Sequence, residues 1–325
     1  MNREDLEVYD RNIRLWGKDT QIKISNSNVL LINLSPSNTE VAKNLILSGI
    51  NLLFLTDENF VTQKDVEHNF FFSSPDIGQR KNDVLKAKLE KINSLVSISL
   101  VPIDEINHEK TKIACIDRRG ISEGQFEEIE NFLFKNKIIT YYIDNIYDKG
   151  FFINNLESNF IKKCEEQNKN NDIILYDTDE EGENKVNKNE VIELDKENEN
   201  KKESVDVDYS FIKIAEKLAK NFDKKLLTKK TSKMLSAISY TFYKLNTLLE
   251  FQKNNIVVTK IKGEIDSNIQ YYYQNRDKIF YPTECVIGGI ISQEIVKCIT
   301  MKEIINCDLY SYNPINEIGE FFSMG

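Results

Sequence analysis

The sequence predicts an α/β protein built on a doubly wound parallel sheet, and three observations predict it. Strand-length apolar runs alternate with helix-length amphipathic stretches as far as about Phe160. The strand-like runs are continuously apolar, as strands buried on both faces of a parallel sheet are. At the head of the series, strand, short loop and helix follow one another in the order that normally cradles a phosphate.

VLLINL (Val29–Leu34) reads as the first strand. TEVAKNLILSGI then places Val41, Leu45 and Ile46 at helical spacing, with Ser48-Gly49 as a stop. NLLFLTDENFV opens as a second strand ending at Asp57. KNDVLKAKLEKINS is a helix with Val84, Leu85, Leu89 and Ile92 on one face. KIACID and IITYYID are two further strands, separated by the helix-like EGQFEEIENFLFKN. FIKIAEKLAKNF and SKMLSAISYTFYKLNTLLEF make a helical part from Tyr209 to about Phe251. A last part begins near Asn268, with the helix CVIGGIISQEIVKCIT and the strand-like DLYSYN.

Composition bounds the class. The chain has 325 residues, 40% hydrophobic and 29% charged, which fits a soluble globular protein. No apolar run approaches the ~20 residues that span a bilayer. MNREDLEVYDRNIRLWG is charged and lacks an apolar signal core, so an intracellular protein is expected. Cys115, Cys164, Cys285, Cys298 and Cys307 are scattered without a C-x-x-C pair and read as inert thiols rather than a zinc site or disulfide framework. The two histidines, His68 and His108, are too few for a histidine-based metal site. The net charge of −9 is concentrated: Glu165–Asp208 holds 16 acidic and 6 basic residues, a local −10, which leaves +1 elsewhere. That segment, rich in Asn, Lys, Glu and Asp, is expected to be a disordered insertion within a single domain spanning residues 1–325. The even remainder offers no clustered positive surface for nucleic acid.

The first loop carries the main anomaly. It has no glycine: Asn33, Ser35 and Asn38 stand where G-x-G-x-x-G would place its glycines, with Pro36 between them. Side chains then occupy the space where phosphates would lie, and Pro36 removes a backbone donor.

YDRNIRLWG (Tyr9–Gly17), EVAKNLILSGI and VIGGIISQEIVK (Val286–Lys297) together resemble the ThiF/MoeB-type adenylation fold of the ubiquitin-like-protein-activating enzymes. Within that family the likeness is to the smaller, regulatory subunits of SUMO-activating heterodimers. The resemblance implies a Rossmann-like adenylation half. An active half binds ATP and magnesium, adenylates the carboxy-terminal glycine of a small modifier and passes it to a catalytic cysteine. In the heterodimers one half is active and the other completes its partner's site. By this resemblance Arg11 reaches in trans to ATP in the catalytic subunit, as an arginine finger does. ATP and magnesium then belong to the partner's site, SUMO is met indirectly, and residence in the nucleus as well as the cytoplasm is expected.

Departures from the active pattern favour an inactive half. DVEHNF (Asp65–Phe70) puts Glu67 and His68 where active halves carry an asparagine and an arginine. Asp57, Lys81 and Asp117 match the family's ribose carboxylate, phosphate lysine and magnesium-side aspartate; they are either remnants or carriers of weak residual nucleotide binding. Arg14 is expected to pair with an acidic neighbour while Leu15 and Trp16 anchor the segment by burial. The two glycines of VIGGIISQ permit close helix packing, and Glu294 and Lys297 suit an exposed or interface ion pair. IILYDTDEE (Ile173–Glu181) and VIELDKE (Val191–Glu197) resemble SUMO-interacting motifs, apolar strands trailed by acids, although chance in a biased tract explains them as well. Three rivals stay open. One is the regulatory subunit of a neddylation-activating enzyme, a longer chain with a large helical insertion; the second is an autonomous homodimeric ATP-dependent adenylating enzyme; the third is an interaction protein without any link to adenylation.

Overall fold

The computed structural model describes residues 7–155, 262–301, 309–314 and 318–322. One eight-stranded sheet runs in the order β3-β2-β1-β4-β5-β6-β7-β8. Its strands are β1 (Asn28–Ile32), β2 (Leu52–Thr56), β3 (Ser97–Leu100), β4 (Thr111–Asp117), β5 (Ile139–Ile143), β6 (Gly150–Asn154), β7 (Leu309–Asn313) and β8 (Ile318–Phe322). β3, β2, β1, β4 and β5 are parallel, and β6, β7 and β8 continue the sheet antiparallel.

Among the described residues the α-helices are α1 (Asp10–Trp16), α2 (Lys18–Ser25), α3 (Pro36–Ser48), α4 (Gln63–His68), α5 (Lys81–Ile92), α6 (Glu123–Lys135), α7 (Lys262–Asn275) and α8 (Tyr281–Thr300). None is long and apolar enough to cross a membrane.

The continuous apolar strands work as double-sided sheet members must. Alternate residues of β1 face opposite layers: Val29 and Leu31 join Leu45, Leu85 and Ile291 of α3, α5 and α8, whereas Leu30 and Ile32 join Leu133 and Tyr272 of α6 and α7. Each layer buries its own apolar cluster, so the doubly wound arrangement follows from the period of the strands.

The observed bounds differ from the sequence expectations for local reasons. β1 stops at Ile32, before Leu34, because Asn33 turns into the left-handed region (φ 63°). α3 starts at Pro36, three residues before Thr39, with Ser35 as its N-cap accepting the amide of Asn38. Gly49 ends it in the left-handed conformation (φ 79°), as the Ser48-Gly49 stop predicts. Ile92, expected on the buried face of α5, is 40% exposed at the helix end. β3 (SISL) alternates polar and apolar residues but is only four residues long at the sheet edge, and β6 follows the tight Ile146–Lys149 turn without alternation, so neither stands out in the sequence. The acidic segment 165–208, both SUMO-motif-like stretches and the helical part 209–251 lie outside the described residues.

Candidate functional site

The strand order reverses direction between β1 and β4, and in open α/β sheets the crevice at such a point takes the ligand. Here the loop after β1 is bonded into that crevice. Asn33 Nδ2 donates to the carbonyls of Asp117 (2.8 Å) and Arg119 (2.7 Å), tying the end of β1 to the end of β4. Asparagine tolerates the left-handed backbone better than most residues, so position 33 keeps a glycine's conformation while adding a side chain. Asn38 Nδ2 donates back to the carbonyls of Ile32 (2.8 Å) and Asn33 (2.7 Å), folding the loop on itself. Pro36 sits at the first helical position, where its missing donor is not needed by the helix.

Beyond the loop lies a network that the sequence does not reveal. Arg119 Nε and Nη2 donate to Asp117 Oδ1 (3.1 Å) and Oδ2 (2.6 Å), and its Nη1 and Nη2 donate to Glu284 Oε1 (2.5 Å) and Oε2 (2.7 Å). Both carboxylates are fully buried. Ser37 Oγ and Asn145 Nδ2 donate to Glu284 Oε2 at 2.6 and 3.0 Å. Burial alone would push the Arg119 guanidinium down, but the charges and hydrogen bonds of Asp117 and Glu284 carry it well above its ordinary value. Arg119 and Glu284 are 165 residues apart, so no local motif could have paired them.

The other matched residues are also engaged. Asp57 is buried; its Oδ2 accepts the Leu34 amide (2.7 Å) and its Oδ1 accepts the amide and side chain of Asn59 (2.8 and 2.7 Å). Lys81, at the start of α5, is paired with Asp65 (2.6 Å). Burial would raise the Asp65 carboxyl, but hydrogen bonds from Lys81 and Thr62 hold it below the ordinary range. Glu67 is exposed and accepts from Gln63 (3.0 Å), while His68 ends α4 half-buried.

Arg11 lies on α1 with an exposed side chain and no hydrogen bond or ion pair among the described residues. Arg14 pairs with Asp10 (2.9 Å) one turn back, as its spacing predicts. The expected anchor needs correction. Leu15 is 77% exposed and does not anchor the segment; Trp16 packs on the core and donates to Gln21 (3.0 Å). Tyr9 is the deeper anchor. Its ring lies against Gly49, where an added Cβ would stand 2.4 Å away, and its hydroxyl accepts from Asn93 (2.7 Å).

In α8, Gly288 allows the close approach to α3: a Cβ there would meet Glu40 Cβ and the Ser37 carbonyl, both at 2.7 Å. Gly289 faces open space. Glu294 and Lys297 form the expected ion pair at 3.0 Å, and rather than lying exposed it has one end in the core, since Glu294 is 2% exposed. Cys115 and Cys298 are buried, and burial raises both the Cys115 and the half-buried Cys285 thiols. Cys164 and Cys307 lie outside the described residues.

As placed, these residues do not fit a nucleotide. Asp57, Lys81 and Asp117, which would meet ribose, phosphates and a divalent cation, each hold a partner within this chain, and the largely buried Arg119 side chain, 17% exposed, stands between Asp117 and Glu284. Among the described residues no group of three or more His, Cys, Asp or Glu could hold a metal ion.

The chain is similar to human SUMO-activating enzyme subunit 1, 25% identical over 315 residues that cover 93% of this chain and 90% of that one. A shorter match, 42% identical over 95 residues, is to the NEDD8-activating enzyme E1 regulatory subunit of Danio rerio and covers 29% of this chain and 18% of that one. Among solved structures, E. coli MccB has the same fold (TM-score 0.55, 14% identity, covering all of this chain and 71% of that one). Residues 9–324 match the ThiF family, and the chain belongs to that family.

Proposed function

We propose that this chain is the non-catalytic, regulatory half of a SUMO-activating heterodimer. One observation carries the reading: a likeness to SUMO-activating enzyme subunit 1 over nine-tenths of both chains, in a chain whose crevice side chains are bonded to one another. ATP and magnesium belong in the catalytic partner, which also supplies the cysteine that accepts SUMO. This chain supplies the scaffold of the dimer and one charge. Arg11, exposed on α1 and without a partner among the described residues, reaches into the partner's site and stabilises negative charge developing on the phosphates during adenylation. Arg14 holds α1 through Asp10 and takes no part in the chemistry. Work of this kind places the protein in the nucleus and cytoplasm. Contact with SUMO is indirect, with Ile173–Glu181 and Val191–Glu197 as additional docking strands; labelled SUMO titrated with a peptide of residues 173–197 shifts at its sheet edge if so, and stays unmoved at millimolar peptide if not.

A neddylation role is the second reading, favoured by the 95-residue match to a NEDD8 regulatory subunit. Tagging the chain in its own cells and identifying its stoichiometric partner separates the two. A larger homologous chain with a glycine loop and a cysteine domain is expected, and its likeness decides the modifier. Recovery alone or as a homodimer contradicts the proposal and restores the autonomous enzyme.

A further inference from the structure

We infer that Arg119 is a resident cation: it occupies the crevice at the β1–β4 switch point in place of a ligand, and its removal opens a site for a free planar cation. The inference rests on reading that crevice as a nucleotide site that has been lost, but not on Arg11 or on the identity of the partner. Three features carry it.

The first is place. Asn33 closes the crevice from β1 by holding the carbonyls of Asp117 and Arg119, so the guanidinium is fixed at the spot where this fold receives ligands. The Arg119 amide donates to Asp117 Oδ1 (2.9 Å), and Gly120 turns the chain away with φ 76°. Arg118, one residue earlier, lies instead over the Phe126 ring at 4.9 Å. The turn therefore selects which arginine enters.

The second is charge. Two fully buried carboxylates face one guanidinium, whose Nε, Nη1 and Nη2 all donate to them. The remaining negative charge is met by Ser37 Oγ, Asn145 Nδ2 and the first turn of α8, where Glu284 sits. Without Arg119, Asp117 and Glu284 would be two unmatched buried charges, a costly arrangement that a bound cation relieves.

The third is connectivity. Asp117 ends β4, Glu284 belongs to α8, Ser37 to α3, and Asn145 follows β5. Asn145 also donates to Ser37 Oγ (2.9 Å) and accepts the Phe151 amide (3.0 Å). The side chain thus joins the elements that would line an open crevice, as a bound ligand would.

The test is chemical rescue of the full chain. Arg119→Ala lowers Tm by about 10 °C. Millimolar ethylguanidinium restores part of that loss with saturation, sodium chloride at equal ionic strength does not, and wild-type Tm does not rise with either. Should Arg119→Ala not fold, Arg119→Ala with Glu284→Gln keeps the buried net charge of the wild type and carries the same comparison through Asp117. An unchanged Tm in Arg119→Ala, or equal recovery in sodium chloride, overturns the inference. A rise in wild-type Tm with magnesium and ATP overturns instead the reading of an inactive half, and the closed crevice with it.

Discussion

Asn33 shows how a single residue changes a site without changing its backbone. It keeps the left-handed turn that glycine would adopt, and its amide group holds two carbonyls across the crevice. Gly49 shows the converse, a glycine that cannot be replaced. Its φ of 79° disfavours any side chain, and a Cβ would stand 2.4 Å from the Tyr9 ring, the anchor of the segment carrying Arg11. Gly49→Ala should therefore destabilise the chain by about 2 kcal/mol or more, seen as a Tm fall of roughly 4–8 °C. A Tm within a degree of wild type would mean that Tyr9 is not packed there. The helix stop at Gly49 was legible in the sequence because it is local. The anchor was not: Leu15 and Tyr9 are both large and apolar, and only the tertiary contact decides that Leu15 faces outward while Tyr9 is buried.

At the scale of elements, α3 and α8 meet across Gly288, and the glycine pair splits into two roles. Gly288→Ala pushes Glu40 and the Ser37 carbonyl apart, and a cost of about 1–3 kcal/mol is expected in thermal unfolding. Gly289→Ala meets nothing within 4 Å and should leave stability unchanged or slightly raised. Equal effects would show that the helix is rotated from the placement described. The loop between β2 and α5 has its own signature in acid. Asp65 and Asp76 are both held below their ordinary value of 3.8 despite burial, by Lys81 and Thr62 in one case and by Lys88 and Ser73 in the other. A carboxyl with a depressed folded pKa stabilises the fold above its unfolded pKa and loses that contribution as pH falls through the folded value. The Tm difference between wild type and Asp65→Asn should thus be steady above about pH 5 and shrink steadily below about pH 4. A difference that persists unchanged into strong acid would exclude the ion pair with Lys81 as its source.

Over the whole molecule, the alternation of continuous apolar strands and amphipathic helices was enough to name the architecture, because each pattern is set by neighbours within a turn or two. The missing glycines were equally legible, because they are read directly from the loop. What replaced them was not. Arg119 and Glu284 lie on different elements, and their pairing is a property of the folded sheet and its two helical layers. The same limit applies to Arg11, whose proposed target lies in another chain. The role of Arg11 is tested most directly by ATP–pyrophosphate exchange in the reconstituted heterodimer with Arg11→Ala in this chain. Exchange should fall by about a thousandfold or more while assembly and the Tm of this chain are unchanged, because the Arg11 side chain is exposed and has no partner among the described residues. Exchange at the wild-type rate in an intact Arg11→Ala complex would contradict the claim that this chain completes its partner's site.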